Sequence, residues 1–295
     1  RAAFHRYRHE NHRLDGRRRV RPSRGIEMGY LSPALNVMIA AARKAARALV
    51  RDFGELENLQ VSMKGPADFV SNADTRTERI LVAELSKARS GYGFLVEESG
   101  IIEGPDKSHR FIIDPLDGTT NFLHAIPHFA ISIGLEREGQ MQSAVVYNPI
   151  TDEMYTAERG HGAYLNDKRL RVSARKHLKD SVIATGLPFL GKDGHARALG
   201  ELEGVMAVTA GVRRFGAASL DLAYVAAGRF DGYWEHNLGA WDVAAGLLLV
   251  KEAQGIVTDL DGGTKMLERG DILAANEPLH PQLLKLLKEA GRKTS

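Results

Sequence analysis

Cysteine is absent from all 295 residues, which excludes disulfides, thiolate metal sites and cysteine nucleophiles. The absence also fits a reducing compartment, so a cytoplasmic location is the expectation. No apolar run is long enough to cross a bilayer. No Gly-rich run ends in Gly-Lys-Ser/Thr, so there is no P-loop, and no serine nucleophile elbow is evident. His124, His128 and His161 lack metal-ligand spacing and read as structural or peripheral. There is no internal repeat and, beyond the N-terminal segment, no low-complexity tract. Any metal ligands are therefore oxygens.

Hydrophobic residues make up 43% of the chain, as expected of a soluble globular protein with a real core. The formal net charge of +3 conceals an uneven distribution. Residues 1–27 hold nine arginines and three acids, while the other 268 residues carry 31 basic and 34 acidic side chains. The body is mildly acidic, so a nucleic-acid role would rest on the N-terminal segment alone. That segment has few aliphatics and no periodicity, and it is expected to be disordered. With Arg1 at its start and the first methionine at Met28, it reads as an appended or translated upstream remnant, with an RNA-binding tail as the alternative. Two further units are expected, an α+β half over 28–172 and an α/β half over 173–295 that closes the site.

The informative stretch is Phe111-Ile112-Ile113-Asp114-Pro115-Leu116-Asp117-Gly118-Thr119-Thr120-Asn121-Phe122. Phe111 to Ile113 reads as a buried strand. Asp114 stands at its end, and Pro115 is expected to stop the sheet ladder. Asp117 follows across a tight turn, and Gly118-Thr119-Thr120 suits the first turn of a helix. Asp after a strand is commonly a turn or cap residue. Two of them, followed by Gly-Thr-Thr, point instead to a corner that holds a cation together with an anion such as phosphate.

Along the rest of the chain, Ser32-Pro33 predicts a helix start, and the helix runs to Gly54. Residues 61–72 read as a loop or hairpin. Asp74 lies at the start of a helix that runs through Leu85. Phe94-Leu95-Val96 is a strand ending in Glu97-Glu98-Ser99-Gly100, which repeats the strand-then-acid pattern and could neighbour Asp114. Runs at 130–135, 143–148 and 153–157 suggest antiparallel strands, and 160–166 is turn-rich. Further on, strands are expected at 182–185, up to Phe215, at 231–235, 255–258 and 272–275. Helices are expected at 195–205, 216–227, 243–252 and 279–288. Gly216-Ala217-Ala218 would let a ligand approach a helix start.

Six acids end strands or start helices: Asp74, Glu97, Asp114, Asp117, Glu235 and Asp242. Like charges of this number cannot converge without cations. Oxygen ligands select Mg²⁺, Mn²⁺ or Ca²⁺, and Mg²⁺ is the one most at home with phosphate.

These residues carry a resemblance. The stretch from Phe111 to His124, and Trp241-Asp242-Val243-Ala244-Ala245-Gly246 through Gly255, resemble the two signatures of the inositol monophosphatase family, and in detail its bacterial SuhB-like branch. Gln254 departs from the family's usual Gly. The resemblance runs from about residue 33 to the C-terminus. It implies a layered α/β fold (an α+β sandwich in an αβαβα arrangement, as in the sugar phosphatases) and a Mg²⁺-dependent phosphomonoesterase with two to three ions per site, Mn²⁺ being a possible substitute. It implies that Glu97, Asp114 and the Leu116 carbonyl hold one ion, and Asp114, Asp117 and Asp242 a second. A third, weaker ion would lean on Glu97. Thr119, hydrogen-bonded to Asp74, would orient the attacking water, so Thr119, Asp74 and Asp114 are the catalytic candidates. Gly118 and Thr119 would cradle the phosphate, and Lys64 would favour negative charge nearby. Glu235 with Gly216, Ala217 and Ala218 would contact the alcohol. Leu116, Asp117, Glu97 and Asp242 would also border the substrate. The resemblance further implies a homodimer, inhibition by Li⁺ and a phosphorylated polyol as substrate. A sugar phosphatase acting on fructose 1,6-bisphosphate, or a factor associated with RNA or the transcription machinery, are the alternatives.

Overall fold

A computed structural model describes residues 32–56, 61–65 and 68–293, with 61–65, 68–71, 292 and 293 given by backbone alone. The expectation of a disordered basic segment over 1–27 lies outside the described residues. Helix α1 (Pro33–Gly54) starts where the sequence says: the Ser32 hydroxyl oxygen accepts from the Leu35 N–H at 3.1 Å, and Pro33 fills the first turn. Leu35, Met38, Ala42, Ala45 and Leu49 recur at helical spacing and are buried. Strands β1 (Val61–Gly65) and β2 (Asp68–Ser71) pair as an antiparallel hairpin, and α2 (Asn72–Ala88) follows directly.

The first sheet has eight strands: β3 (Tyr92–Val96), β4 (Gly100–Ile102), β5 (Asp106–Asp117), β6 (Ala130–Arg137), β7 (Gln140–Asn148), β8 (Glu153–Glu158), β9 (Gly162–Leu165) and β10 (Lys168–Arg169). Their order is β10-β9-β8-β7-β6-β5-β3-β4. The β3–β5 pair is parallel and sets Val96 beside Ile113, its last rung, so Glu97 and Asp114 follow that rung on neighbouring strands. Phe111 and Ile113 pack with α1 and α2, whereas Ile112 faces the other way. A strand covered on both faces reads as a continuous apolar run rather than an alternating one.

Two expectations change here. Pro115 does not end the ladder. β5 pairs Asp114 with Ser132 and then Asp117 with Ala130, so three steps on β5 oppose two on β6. The extra residue forms a β-bulge, a place where a residue without an N–H is tolerated. In addition, part of the turn-rich 160–166 segment is β9, a four-residue strand flanked by turns that hide it in the sequence.

The second sheet comprises β11 (Val182–Thr185), β12 (Gly211–Arg213), β13 (Gly232–Glu235), β14 (Ile256–Thr258) and β15 (Ile272–Ala275), in the order β12-β11-β13-β15-β14. Helices α5 (Ala218–Ala226) and α6 (Ala240–Glu252) lie between the sheets. Their core cluster joins Ile112, Ala144 and Val146 of the first sheet to Ala184, Tyr233 and Ala274 of the second. Every residue from Val243 to Val250 is buried, as a helix sandwiched between two sheets requires. Helices α4 (His195–Met206) and α8 (His280–Lys293) cover the outer face of the second sheet through Val205, Leu279, Leu283 and Leu287. The short helices are α3 (Thr119–Leu123) and α7 (Met266–Arg269); the sequence reading had no counterpart for α7. The layers run helix, sheet, helix, sheet, helix, the expected αβαβα sandwich. Among the described residues no helix is long and apolar enough to cross a membrane.

Candidate active site

The bulge explains why Asp114 and Asp117 work together. In a regular strand residues three apart point to opposite faces. The extra residue at 115–116 cancels that alternation and turns both carboxylates toward the middle helical layer. There Asp242, in the first turn of α6, joins them: one oxygen from each of Asp114, Asp117 and Asp242 lies within 4.8 Å of the others. The Ser132 hydroxyl donates to the Trp241 carbonyl at 3.3 Å and ties the start of α6 to β6.

Each acid also has a scaffolding bond. Asp114 Oδ1 accepts the Leu116 N–H at 2.9 Å. Asp242 Oδ2 accepts the Gly239 N–H at 2.7 Å and caps its own helix. Asp117 caps α5 instead, accepting the N–H groups of Ala218 at 3.2 Å and Ser219 at 2.8 Å and the Ser219 hydroxyl. The capping role thus exists, but on a helix about a hundred residues away in sequence.

Burial, then the neighbouring charges of Glu97, Asp117 and Asp242, hold the Asp114 carboxyl well above the usual range. Burial and the charges of Asp117 and Glu97 do the same to Asp242. Burial also raises Asp117, against the hydrogen bonds from Ser219, Ala218 and Leu220. So crowded a set stays ionised only if a cation offsets it. Its donors are all oxygens, which fits a hard divalent cation and not a softer metal.

Thr119 lies beside this cluster. Its hydroxyl is 3.1 Å from Asp74 Oδ1 and 3.0 Å from the Leu116 carbonyl oxygen. Asp74 is fully buried and is the third residue of α2 rather than its cap. Gly118 precedes α3 with φ of 93°, and a Cβ there would meet the His128 carbonyl oxygen at 3.1 Å and Ala217 Cβ at 3.3 Å.

Glu235 ends β13 and borders a cavity of about 440 Å³ together with Glu97, Asp242, Trp241, Phe189 and Lys192. The Tyr233 hydroxyl donates to Glu235. Burial, with the Asp117 charge adding to it, pushes the Glu235 carboxyl up to about 7. Gly186 is there because Glu235 is: a Cβ at Gly186 would fall 1.8 Å from the Glu235 carboxylate. Gly216 (φ 78°) is partly open, whereas Ala217 and Ala218 are buried and the Ala218 N–H is engaged with Asp117. Lys64 is on β1, and its side chain lies outside the described residues. Among the described residues His124, His128 and His161 do not join the group of potential metal ligands. His128 packs instead against the Phe215 and Tyr224 rings.

Among the buried acids that escaped the sequence reading are Asp221 and Glu78. Asp221 on α5 is 1% exposed, and its Oδ1 has no hydrogen-bond partner. Burial, then Glu235 and Asp117, hold its carboxyl well above the usual range. Its signal was an acid alone in an otherwise apolar helix. Glu78 on α2 is 4% exposed, and its signal was the four-residue spacing from Asp74.

A five-layer sandwich that gathers oxygen ligands from the bulged end of one strand and a helix start defines a metal-dependent phosphatase architecture. Residues 30–292 match the inositol monophosphatase family, and the chain belongs to it. The chain is 61% identical over 258 residues to the inositol-1-monophosphatase of Mesorhizobium japonicum, covering 88% of this chain and 97% of that protein. It is 45% identical over 258 residues to the Nus factor SuhB of Pseudomonas aeruginosa, covering 86% and 95%. The crystal structure of the extragenic suppressor protein SuhB from Bartonella henselae matches with a TM-score of 0.86 at 59% identity, over 88% of this chain and 99% of that one.

Proposed function

We propose that the protein hydrolyses myo-inositol monophosphate to myo-inositol and phosphate, with two to three Mg²⁺ per site. The observation that carries this reading is the approach of Asp114, Asp117 and Asp242 to within 4.8 Å, next to the Thr119–Asp74 pair. Glu97, Asp114 and the Leu116 carbonyl hold one ion. Asp114, Asp117 and Asp242 hold the second, and a third leans on Glu97. When bound, the ions supply Lewis acidity that offsets phosphate charge and makes a water acidic enough to attack near neutral pH. Thr119, with its hydroxyl directed by Asp74, orients the attacking water. The N–H groups of Gly118 and Thr119 bind phosphate oxygens. Glu235 and the Gly216 end of α5 face the alcohol, and Glu235, titrating at about 7, exchanges hydrogen bonds with ring hydroxyls in either protonation state.

Phosphate release from myo-inositol 1-phosphate, measured across a Mg²⁺ titration, tests the reading. Activity should need Mg²⁺, fall with EDTA and be inhibited by Li⁺. Turnover that survives EDTA overturns it. Fructose 1,6-bisphosphate run alongside distinguishes a sugar phosphatase, because specificity is a ratio of kcat/KM values. The similarity to a protein named as a Nus factor supports a second reading, association with RNA or the transcription machinery. Through the basic segment 1–27 such binding would weaken steeply with salt. A homodimer is proposed as well, and light scattering tests it.

A further inference from the structure

Helix α2 carries two buried carboxylates one turn apart, Asp74 at 0% and Glu78 at 4% exposure. Residues four apart share a helix face, and acids buried there are tolerated only when hydrogen-bonded. Asp74 engages the Thr119 hydroxyl. Glu78 engages the other side of the site. Its Oε2 accepts the backbone N–H of Glu98 at 2.9 Å, and its Oε1 accepts the Ser99 hydroxyl. Glu98 and Ser99 belong to the turn at residues 97–99 between β3 and β4, and Glu97 opens that turn. On the sheet side the Glu97 N–H donates to the Ile113 carbonyl at 3.2 Å. The turn is therefore clamped from two directions, by the last rung of the β3–β5 pairing and by a helical carboxylate that addresses its second and third residues. The Glu97 charge, in turn, acts on both Asp114 and Asp242.

We infer that Glu78 is a positioning residue for cation binding: it holds the 97–99 turn so that Glu97 stays aimed at the aspartate cluster, without itself touching the ion. α2 is then a rigid bracket across the site. One carboxylate directs the hydroxyl that orients water, and the other sets the turn that carries an ion ligand. The inference rests on the metal reading proposed above. It separates two roles that sit one helical turn apart: Asp74 governs turnover, and Glu78 governs ion affinity.

The test is calorimetric titration of Mg²⁺ into the full chain without substrate, for the unaltered protein, Ser99→Ala, Glu78→Gln, Glu78→Ala and Asp74→Asn. Groups that hold a metal ligand in place typically contribute about 10–100-fold in metal affinity. Glu78→Ala should weaken Mg²⁺ binding by about tenfold or more, with Ser99→Ala in between because it keeps one of the two bonds, and Glu78→Gln nearer the unaltered protein because its Oε1 still accepts the Glu98 N–H and its Nε2 donates to the Ser99 oxygen. The Glu78 variants should recover most of their kcat at saturating Mg²⁺. Asp74→Asn should lose kcat while binding Mg²⁺ within about twofold of the unaltered protein. Ser99 is on the surface, so Ser99→Ala remains informative even where Glu78→Ala fails to fold. Unchanged Mg²⁺ affinity in folded Ser99→Ala, or in Glu78→Ala where it folds, overturns the inference and leaves the metal reading standing. Failure of the unaltered chain itself to take up Mg²⁺ overturns both.

Discussion

The Thr119 hydroxyl lies 3.1 Å from Asp74 Oδ1 although 45 residues separate the two in sequence. A hydroxyl has one proton, and a carboxylate is a stronger acceptor than the Leu116 carbonyl that also lies within reach. With the proton committed to Asp74, a lone pair of Oγ1 is left to accept a hydrogen bond from water. Thr119→Val keeps the shape and removes that acceptor. It should lower kcat by about 10²-fold or more, the usual contribution of a group that handles the nucleophile's proton. Mg²⁺ affinity should be unchanged, and Thr119→Ser should restore most of the rate. Full activity in Thr119→Val with a loss in Thr119→Ser would show that the methyl group, not the hydroxyl, matters.

The crowding around Asp114 makes a prediction opposite in sign to the usual effect of altering a buried residue. Burial and three neighbouring carboxylates disfavour its charge. In EDTA at pH 7.5, Asp114→Asn relieves this repulsion and should raise Tm rather than lower it. Added Mg²⁺ should reverse the order. At a concentration of 100 Kd a bound ion stabilises the unaltered protein by about 2.7 kcal/mol, and the variant should gain little. Activity should fall by at least about 100-fold, since even residues that only support a metal ligand reach that figure. Thermal melts with and without Mg²⁺ decide the matter, and a lower Tm for the variant in EDTA would count against the cluster.

What was legible in the sequence was local. Asp114, Asp117 and Asp242 stand where a strand ends or a helix begins, and those signals need only a few neighbouring residues. What was not legible depends on partners far along the chain. Asp117 caps α5 across 101 residues, and the bulge that aligns it with Asp114 exists only because β6 pairs with β5. Glu78 and Asp221 look like ordinary helical acids until the sheets close over them. The departure at Gln254 also gains a physical reading. It follows the C-cap of α6 with φ of 69°, a left-handed conformation that favours the Gly usual in the family. The irregularity is thus a matter of backbone strain at a helix end, away from the carboxylates.

Gly186 offers a test of substrate recognition that alters no acidic residue. A methyl group at Gly186 would occupy the space of the Glu235 side chain, with 1.8 Å between Cβ and the carboxylate. Gly186→Ala should therefore displace Glu235 and loosen its hold on the alcohol. Losing a hydrogen bond to a charged group is worth about 1.5–3 kcal/mol, so KM for myo-inositol 1-phosphate should rise by about tenfold or more. Hydrolysis of p-nitrophenyl phosphate, whose leaving group has no ring hydroxyls to bind, should change by less than about twofold. A parallel loss with both substrates would place the effect on the ions or the water instead.

His236 carries the pH prediction. Its Nε2 is 2.9 Å from Glu201 Oε2 and its Nδ1 is 3.2 Å from Asp271 Oδ1, so both ring nitrogens face carboxylates. Only the imidazolium can donate through both. Burial pushes the imidazole down, but the bonds to Asp271 and Glu201 outweigh it and bring His236 up to about 9 from 6.5. Glu201 is fully buried and also accepts the Trp234 indole N–H at 3.1 Å and the Arg197 Nε–H at 2.9 Å. A base raised in the folded state contributes stability that is complete below its unfolded value and is lost as pH rises through the folded one. The rise from 6.5 to about 9 is worth about 3 kcal/mol. His236→Gln should therefore lower Tm most at pH 6, by several degrees at about 2–4 °C per kcal/mol. The deficit should narrow steadily from pH 6.5 to pH 9 and be small at pH 10. The lowered Glu201 and Asp271 carboxyls act in the opposite sense, but on the acid side of about pH 4.5, outside this window. Melts in EDTA keep ion binding out of the comparison, and a deficit that stays constant from pH 6 to pH 10 would mean that the ring acts as a neutral hydrogen-bonding spacer.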